Sequence, residues 1–125
     1  MKGPFPYLPW NNGPAAPACN ITVSWNGRNE TVLALIDSGA AGTTIPASIA
    51  KKLGLAIRNK QEVSGATGGS KMVNEHVVNL HILGLPFPSH VVWGLPDRPY
   101  ALIGRDILNR YKTILDGPTS EYSIE

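Results

Sequence analysis

A single cysteine, Cys19, stands in the 125-residue chain, so no intrachain disulfide can form and stability has to come from packing. Charge of one sign is also scarce. Eleven Lys and Arg against nine Asp and Glu leave a formal charge of +2, and the only adjacent basic pair, Lys51-Lys52, fits a solvated helix face. Such scatter leaves no electrostatic footprint for nucleic acid. No apolar run approaches the roughly 20 residues that a bilayer span needs. The N-terminus lacks the basic-then-apolar order of a secretory signal, so the expectation is a cytoplasmic protein with no membrane partner. Two Asn-x-Thr sequons, at Asn20 and Asn29, would matter only in a secreted protein and are read as chance. The three histidines offer no metal site, because His76 and His81 lie an odd number apart on an expected strand and point to opposite faces. Neither a metal nor another cofactor is expected.

Turn formers, in contrast, are abundant. Thirteen Gly and eleven Pro punctuate short apolar runs, which argues for one mostly-β domain spanning residues 1–125. Residues 1–18 read as an extended N-terminal arm in which Tyr7, Leu8 and Trp10 pack and Asn11 to Pro17 loop. Ile21 to Trp25 alternate as a strand does, and Asn26-Gly27 is the preferred pair for a type I′ hairpin, which needs positive φ at both central residues. The return strand, Glu30 to Ile36, leads into Asp37. Ile45, Ile49 and Leu53 recur at helical spacing, with Pro46 suited to the first turn and Gly54 to the C-terminal cap. Residues 62–72 form a glycine-rich hairpin tip. A phosphate-cradling loop is the rival there, but no Gly-Lys-Ser/Thr and no following helix support it. Val73 to Ile82 and His90 to Trp93 are expected strands, and Gly94 to Pro99 a stiff surface loop. Arg105 to Tyr111 reads as a short helix with Ile107, Leu108 and Tyr111 inward, followed by a tail hairpin turning at Gly117-Pro118.

The segment with chemistry in it is Leu35-Ile36-Asp37-Ser38-Gly39-Ala40. An apolar strand delivers one carboxylate into a turn of small residues. Asp37 can hold or activate a water, Ser38 can brace the turn, Gly39 lets a substrate backbone come close and Ala40 keeps the floor shallow. An Asp-Ser-Gly turn closing an ordinary hairpin would look the same. The discriminating partner is Ala101-Leu102-Ile103-Gly104-Arg105-Asp106-Ile107-Leu108. A hydroxyl-bearing Asp turn, followed much later by two apolar residues, Gly and Arg, resembles the retroviral-type aspartic peptidases, the retropepsins.

That resemblance spans nearly the whole chain and implies a closed, barrel-like β fold with one or two short helices. It implies an aspartic endopeptidase that uses Asp37 on peptide or protein substrates. Residues 62–72, with Gly65, Gly68 and Gly69, would be the flap, and Thr43 falls where the family has Thr or Ser. Substrate contacts would come from Gly39, Ala41, Ala66, Thr67, Gly68, Tyr100 and Leu102, while Gly104 and Arg105 form the structural second motif. Many members carry Asp two residues after the motif glycine, where it pairs with that arginine; here the position is Ala41, so Arg105 must find another partner. Two other readings stay open: a catalytically silent dimerisation or peptide-binding module, and a small-ligand β-barrel unrelated to peptidases.

Hydrolysis by carboxylates alone needs two of them about one water, sharing one proton because like charges so close cannot both ionise. The chain has one Asp-Ser-Gly turn and no internal repeat, and Asp97, Asp106 and Asp116 lie outside any comparable strand–turn context. The resemblance therefore implies a two-fold homodimer. The tail, residues 111–125, is the expected dimerisation element, its strands Thr113-Ile114-Leu115 and Tyr122-Ser123-Ile124 pairing with symmetry mates or with the N-terminal arm. The initiating Met1 and the long tail after Gly104 suggest a free-standing cellular or prokaryotic member rather than a fragment of a viral polyprotein.

Overall fold

The computed structural model describes residues 1–64 and 68–125. Strands β1 (Lys2–Pro6), β2 (Leu8–Trp10) and β3 (Gly13–Ala16) form the N-terminal arm, and β4 (Ala18–Trp25) and β5 (Arg28–Ile36) form the first long hairpin. β6 (Thr44–Pro46) runs into helix α1 (Ala47–Lys52), and β7 (Asn59–Ser64), β8 (Ser70–Ile82) and β9 (Leu85–Leu95) follow. β10 (Ala101–Ile103), α2 (Arg105–Leu108), β11 (Thr113–Asp116) and β12 (Glu121–Ile124) complete the chain. No helix among the described residues is long and apolar enough to cross a membrane.

The main sheet is ordered β4-β5-β10-β6-β9-β8-β7, and β4 pairs with β8 as well. That extra pairing closes the first six strands of this order into a barrel, as expected, and leaves β7 as a flange whose only strand pairing is with β8. The length of β8 makes this possible. Its second half pairs with β4 through Asn79 to Ile82, while its first half pairs with β7 from Asn59↔Glu75 to Ser64↔Ser70.

Alternation fills the barrel. On β5, Val32, Ala34 and Ile36 point in; on β8, His76, Val78, Leu80 and Ile82 do so. His81 stays on the outer face, so the two histidines do diverge. Ile21, Val23, Ile45, Val92, Ile103 and Ile107 complete a dry centre, each contributing about 1.5–3 kcal/mol on full burial. The Asn26-Gly27 turn has φ of +49° and +77°, the type I′ signature expected of that pair.

Several boundaries differ from the sequence expectation. Asn11 to Pro17 do not loop freely. Asn11 and Asn12, at φ of +45° and +58°, turn the chain so that β3 pairs back on β2; Asn tolerates that region better than other side chains. Ile45 belongs to β6 rather than to the helix, because Thr44 to Pro46 pair in parallel with Trp93 to Leu95. It shares the buried face of Ile49 and Leu53 all the same, since the strand end and the helix face one core. β9 begins at Leu85, not His90, and carries Pro86 and Pro88 within it. α2 stops at Leu108, with Tyr111 half-buried against the core from the loop beyond. In the tail, β12 pairs with β11 on one side and with the chain's own β1 on the other. Tyr122 and Ile124 are thereby buried in their own subunit, and the Tyr122 hydroxyl donates to the Ala18 carbonyl at 3.0 Å. The Cys19 thiol lies beside this ring, and burial pushes its pKa up to about 11, so it stays protonated and inert.

Candidate active site

β5 and β10 lie parallel, with Ala34↔Ala101, Leu35↔Leu102 and Ile36↔Ile103 in register. This brings the two sequence motifs together at one end of the barrel. Asp37 leaves β5 with its N–H donating to the Ile103 carbonyl at 3.0 Å, and the chain then turns back, Ala40 N–H to Asp37 carbonyl, 3.2 Å. The Asp37 carboxylate accepts from the Gly39 N–H on Oδ1 at 2.9 Å, which restrains its rotamer and leaves Oδ2 without a hydrogen-bond partner among the described residues. A side chain at Gly39 would press on that same oxygen, its Cβ 3.1 Å away.

The second motif clamps this turn from behind. Arg105 donates from its backbone to the Ala40 carbonyl at 2.9 Å and from Nη1 to the Ser38 carbonyl at 2.8 Å. With alanine at position 41, the guanidinium therefore holds backbone oxygen in place of a carboxylate. Gly104 fits under the turn so closely that a Cβ there would lie 2.6 Å from both C and O of Gly42.

A carboxylate that sequence reasoning set aside takes part in this clamp. Asp106 accepts from the Thr43 N–H at 3.0 Å and its hydroxyl at 2.8 Å, and lies 2.9 Å from His90 Nε2. The Thr43 hydroxyl also receives the Gly104 N–H at 3.2 Å. Burial pushes the Asp106 carboxyl up, but the bonds from His90 and Thr43 outweigh it, and the net shift is below the usual carboxylate range. A lowered folded-state value means stabilisation that is present above about pH 3.9, the unfolded value, and is lost as pH falls through the folded one. Asp106→Asn is therefore expected to weaken the fold at neutral pH and to flatten its loss of stability on acidification. Denaturant titrations of both proteins from neutral to about pH 3 check this; parallel pH profiles would refute it. The one sequence signal for this role was Thr43, at the position where the resemblance has Thr or Ser; His90, brought in by β9, carried none.

Beyond Asp37 opens a cleft of about 610 Å³, bounded by Gly39 to Gly42 and Leu102 on the barrel side and by Gln61 to Ser64 on β7. Trp93 of β9 forms its back. The ring lies against Gly42, where a Cβ would sit 2.0 Å from it, and Nε1 donates to Gln61 Oε1 at 2.6 Å, tying β7 to the barrel. Neither Gly42 nor Trp93 carried a sequence signal, because the contact joins two segments with no shared motif. Of the expected site residues, Asp37, Gly39, Ala40, Ala41 and Leu102 line the cleft. Ser38 is exposed beside it, and Gly104 and Arg105 stand behind it. Tyr100 does not line it and packs edge-on against Trp10 of the arm, centroids 4.7 Å apart. Gly68 has φ of +86° beyond the end of β7, while Gly65, Ala66 and Thr67 lie outside the described residues. Among the described residues no cluster of His, Cys, Asp or Glu could hold a metal ion.

This barrel, with an Asp turn locked to a Gly-Arg motif and a flange over the cleft, is the retropepsin-like fold. A retropepsin-like aspartic protease from Rickettsia conorii superposes with a TM-score of 0.59 over 86% of this chain and 80% of its own, at 20% identity. EIAV protease in complex with the inhibitor HBY-793 gives 0.57 over 82% and 93%, at 19% identity. The retroviral protease-like domain of Ddi1 from Leishmania major gives 0.53 over 85% and 86%, at 20% identity. Among curated proteins no sequence matches significantly. The model of the gag-polyprotein putative aspartyl protease family matches residues 21–110, and the chain belongs to that family.

Proposed function

We propose that the protein is an aspartic endopeptidase whose catalytic pair is Asp37 from each of two identical subunits. The observation that carries this reading is the fixed Asp37 carboxylate, which accepts the Gly39 N–H on one oxygen and lines the cleft between the barrel and β7. In the dimer one carboxylate takes a proton from water as its oxygen attacks the peptide carbonyl carbon. The other, protonated, donates to the carbonyl oxygen. Collapse of the tetrahedral intermediate breaks the C–N bond, and a proton passes to the leaving amine. The pair shares one proton, so activity belongs on the acid side and ends when that proton is lost. β7 and β8 act as the flap, and Leu102 supplies part of the cleft wall.

The three-stranded sheet of β1, β12 and β11 supports a modified view of the expected tail interface. Tyr122 and Ile124 serve their own core, whereas Ile114 and Leu115 on the edge strand β11 are 40% and 53% exposed. These two are the exposed large apolar residues of the tail, available to meet a second copy. Pepstatin, which mimics the tetrahedral intermediate across a formed pair, should bind once per dimer. Leu115→Glu should raise the concentration needed for dimerisation by about tenfold or more and lower activity in step, with the monomer still folded. Sedimentation and activity against concentration check this. Full activity in a dilute monomer, or one pepstatin per chain, would overturn the dimeric reading.

A further inference from the structure

The cleft wall is mostly small or apolar, but it includes one cation. Arg98 lines the cleft from the loop between β9 and β10. The loop's own acid is already taken: Asp97 forms a 2.6 Å ion pair with Lys71 of β8. Among the described residues, Arg98 itself has no carboxylate within 4.0 Å and no hydrogen-bond partner for its guanidinium. It is half-buried, and Pro96 and Pro99 on either side restrict the loop that carries it. A partly desolvated, unpaired guanidinium on a stiff loop is a preorganised receptor for a planar anion.

We infer that Arg98 forms an acid-selective subsite, taking a Glu or Asp side chain of the bound peptide. This rests on the peptidase reading above and narrows its substrate class. A peptide carboxylate is favoured over the chain's own Glu62, which lines the same cleft yet stays beyond ion-pair distance of Arg98. The Asp37 pair, carrying about one negative charge, works against acidic side chains elsewhere in the cleft, so the preference should be confined to the positions Arg98 reaches. In a two-fold dimer each half-cleft has its own Arg98. Acidic residues should then be favoured at matching positions on both sides of the scissile bond.

The test uses the full-length protein and a mixed peptide library, with cleavage sites read by mass spectrometry. Matched Glu and Gln versions of the best peptides are then compared at about pH 5.5, where a peptide Glu is ionised. The wild type should favour Glu over Gln by about tenfold, the usual scale for one charge-assisted pair. That ratio should fall to about one in Arg98→Gln and invert in Arg98→Glu, and it should fade below about pH 4 as the peptide carboxyl protonates. The same peptides, fluorescently labelled, are also titrated onto Asp37→Asn by anisotropy, so that binding is read without turnover. Preferential binding of Glu peptides with no cleavage by the wild type would remove the peptidase reading and keep the subsite. Cleavage without a Glu preference, or with a preference unchanged in Arg98→Gln, would overturn the subsite and keep the peptidase. Absence of both binding and cleavage would overturn both.

Discussion

Asp37→Asn is expected to abolish peptide hydrolysis, by at least about 10³-fold, while leaving the protein folded. The asymmetry follows from what each oxygen of Asp37 does. Oδ1 accepts the Gly39 N–H, and an Asn side chain can present its carbonyl oxygen in the same place. The backbone bonds from Asp37 to Ile103 and from Ala40 to Asp37 do not involve the side chain at all. What disappears is an ionisable group. An amide can neither take a proton from water nor share one with its symmetry mate, so a dimer of the Asp37→Asn variant has no base. Peptide cleavage by purified variant, with the melting temperature measured alongside, checks both halves of the statement. Turnover above trace, with contaminating protease excluded, would mean that some other group does the chemistry.

The largest effect on stability is expected from Gly104→Ala. The backbone there is extended, so φ is no obstacle, and the constraint is space. The new Cβ would meet C and O of Gly42 at 2.6 Å and the Ala40 carbonyl oxygen at 2.9 Å, all of them backbone atoms of the active-site turn. A flexible side chain could swing aside, but this turn is pinned by Arg105 to Ala40 and to Ser38 and by Asp106 to Thr43. Relief therefore requires separating β5 from β10 or unseating the turn. A cost of about 3 kcal/mol follows for so tight a contact, lowering the melting temperature by roughly 10 °C in a chain of this size. Gly117→Ala, where nothing lies within 4 Å, is the matched control and should stay near wild type. Equal melting temperatures for the two variants would show that the turn yields more easily than its hydrogen bonds imply.

These contacts also explain which parts of the molecule could be read in advance. The Asp turn and the Leu-Ile-Gly-Arg segment were legible because each has to satisfy a local demand: a carboxylate at a strand end, and a residue without a side chain beneath it. The Asn26-Gly27 hairpin was legible for a similar reason, since its backbone angles select the residues directly. The start of β9 was not, because Pro86 and Pro88 look like breakers until the pairing that tolerates them is known. The Asn11-Asn12 hairpin was missed because asparagine is a weaker marker of positive φ than glycine. Asp106 was set aside for lacking a strand–turn context of its own, yet its partners Thr43 and His90 come from 63 and 16 residues away. Trp93 against Gly42 is likewise a product of the closed barrel, and no short window along the chain contains both.

The pairing of β4 with β8 has a consequence for how such a molecule evolves. The barrel is sealed without β7, so lifting the flange breaks one ladder and the Trp93–Gln61 bond but opens no gap in the apolar centre. The free energy of exposing the cleft and the free energy of global unfolding are thus separate quantities. Substitutions along Asn59 to Ser64 can retune how long a peptide is held without drawing on the stability of the domain. The turn that carries Asp37 has no such freedom, because it is built into the seam between β5 and β10.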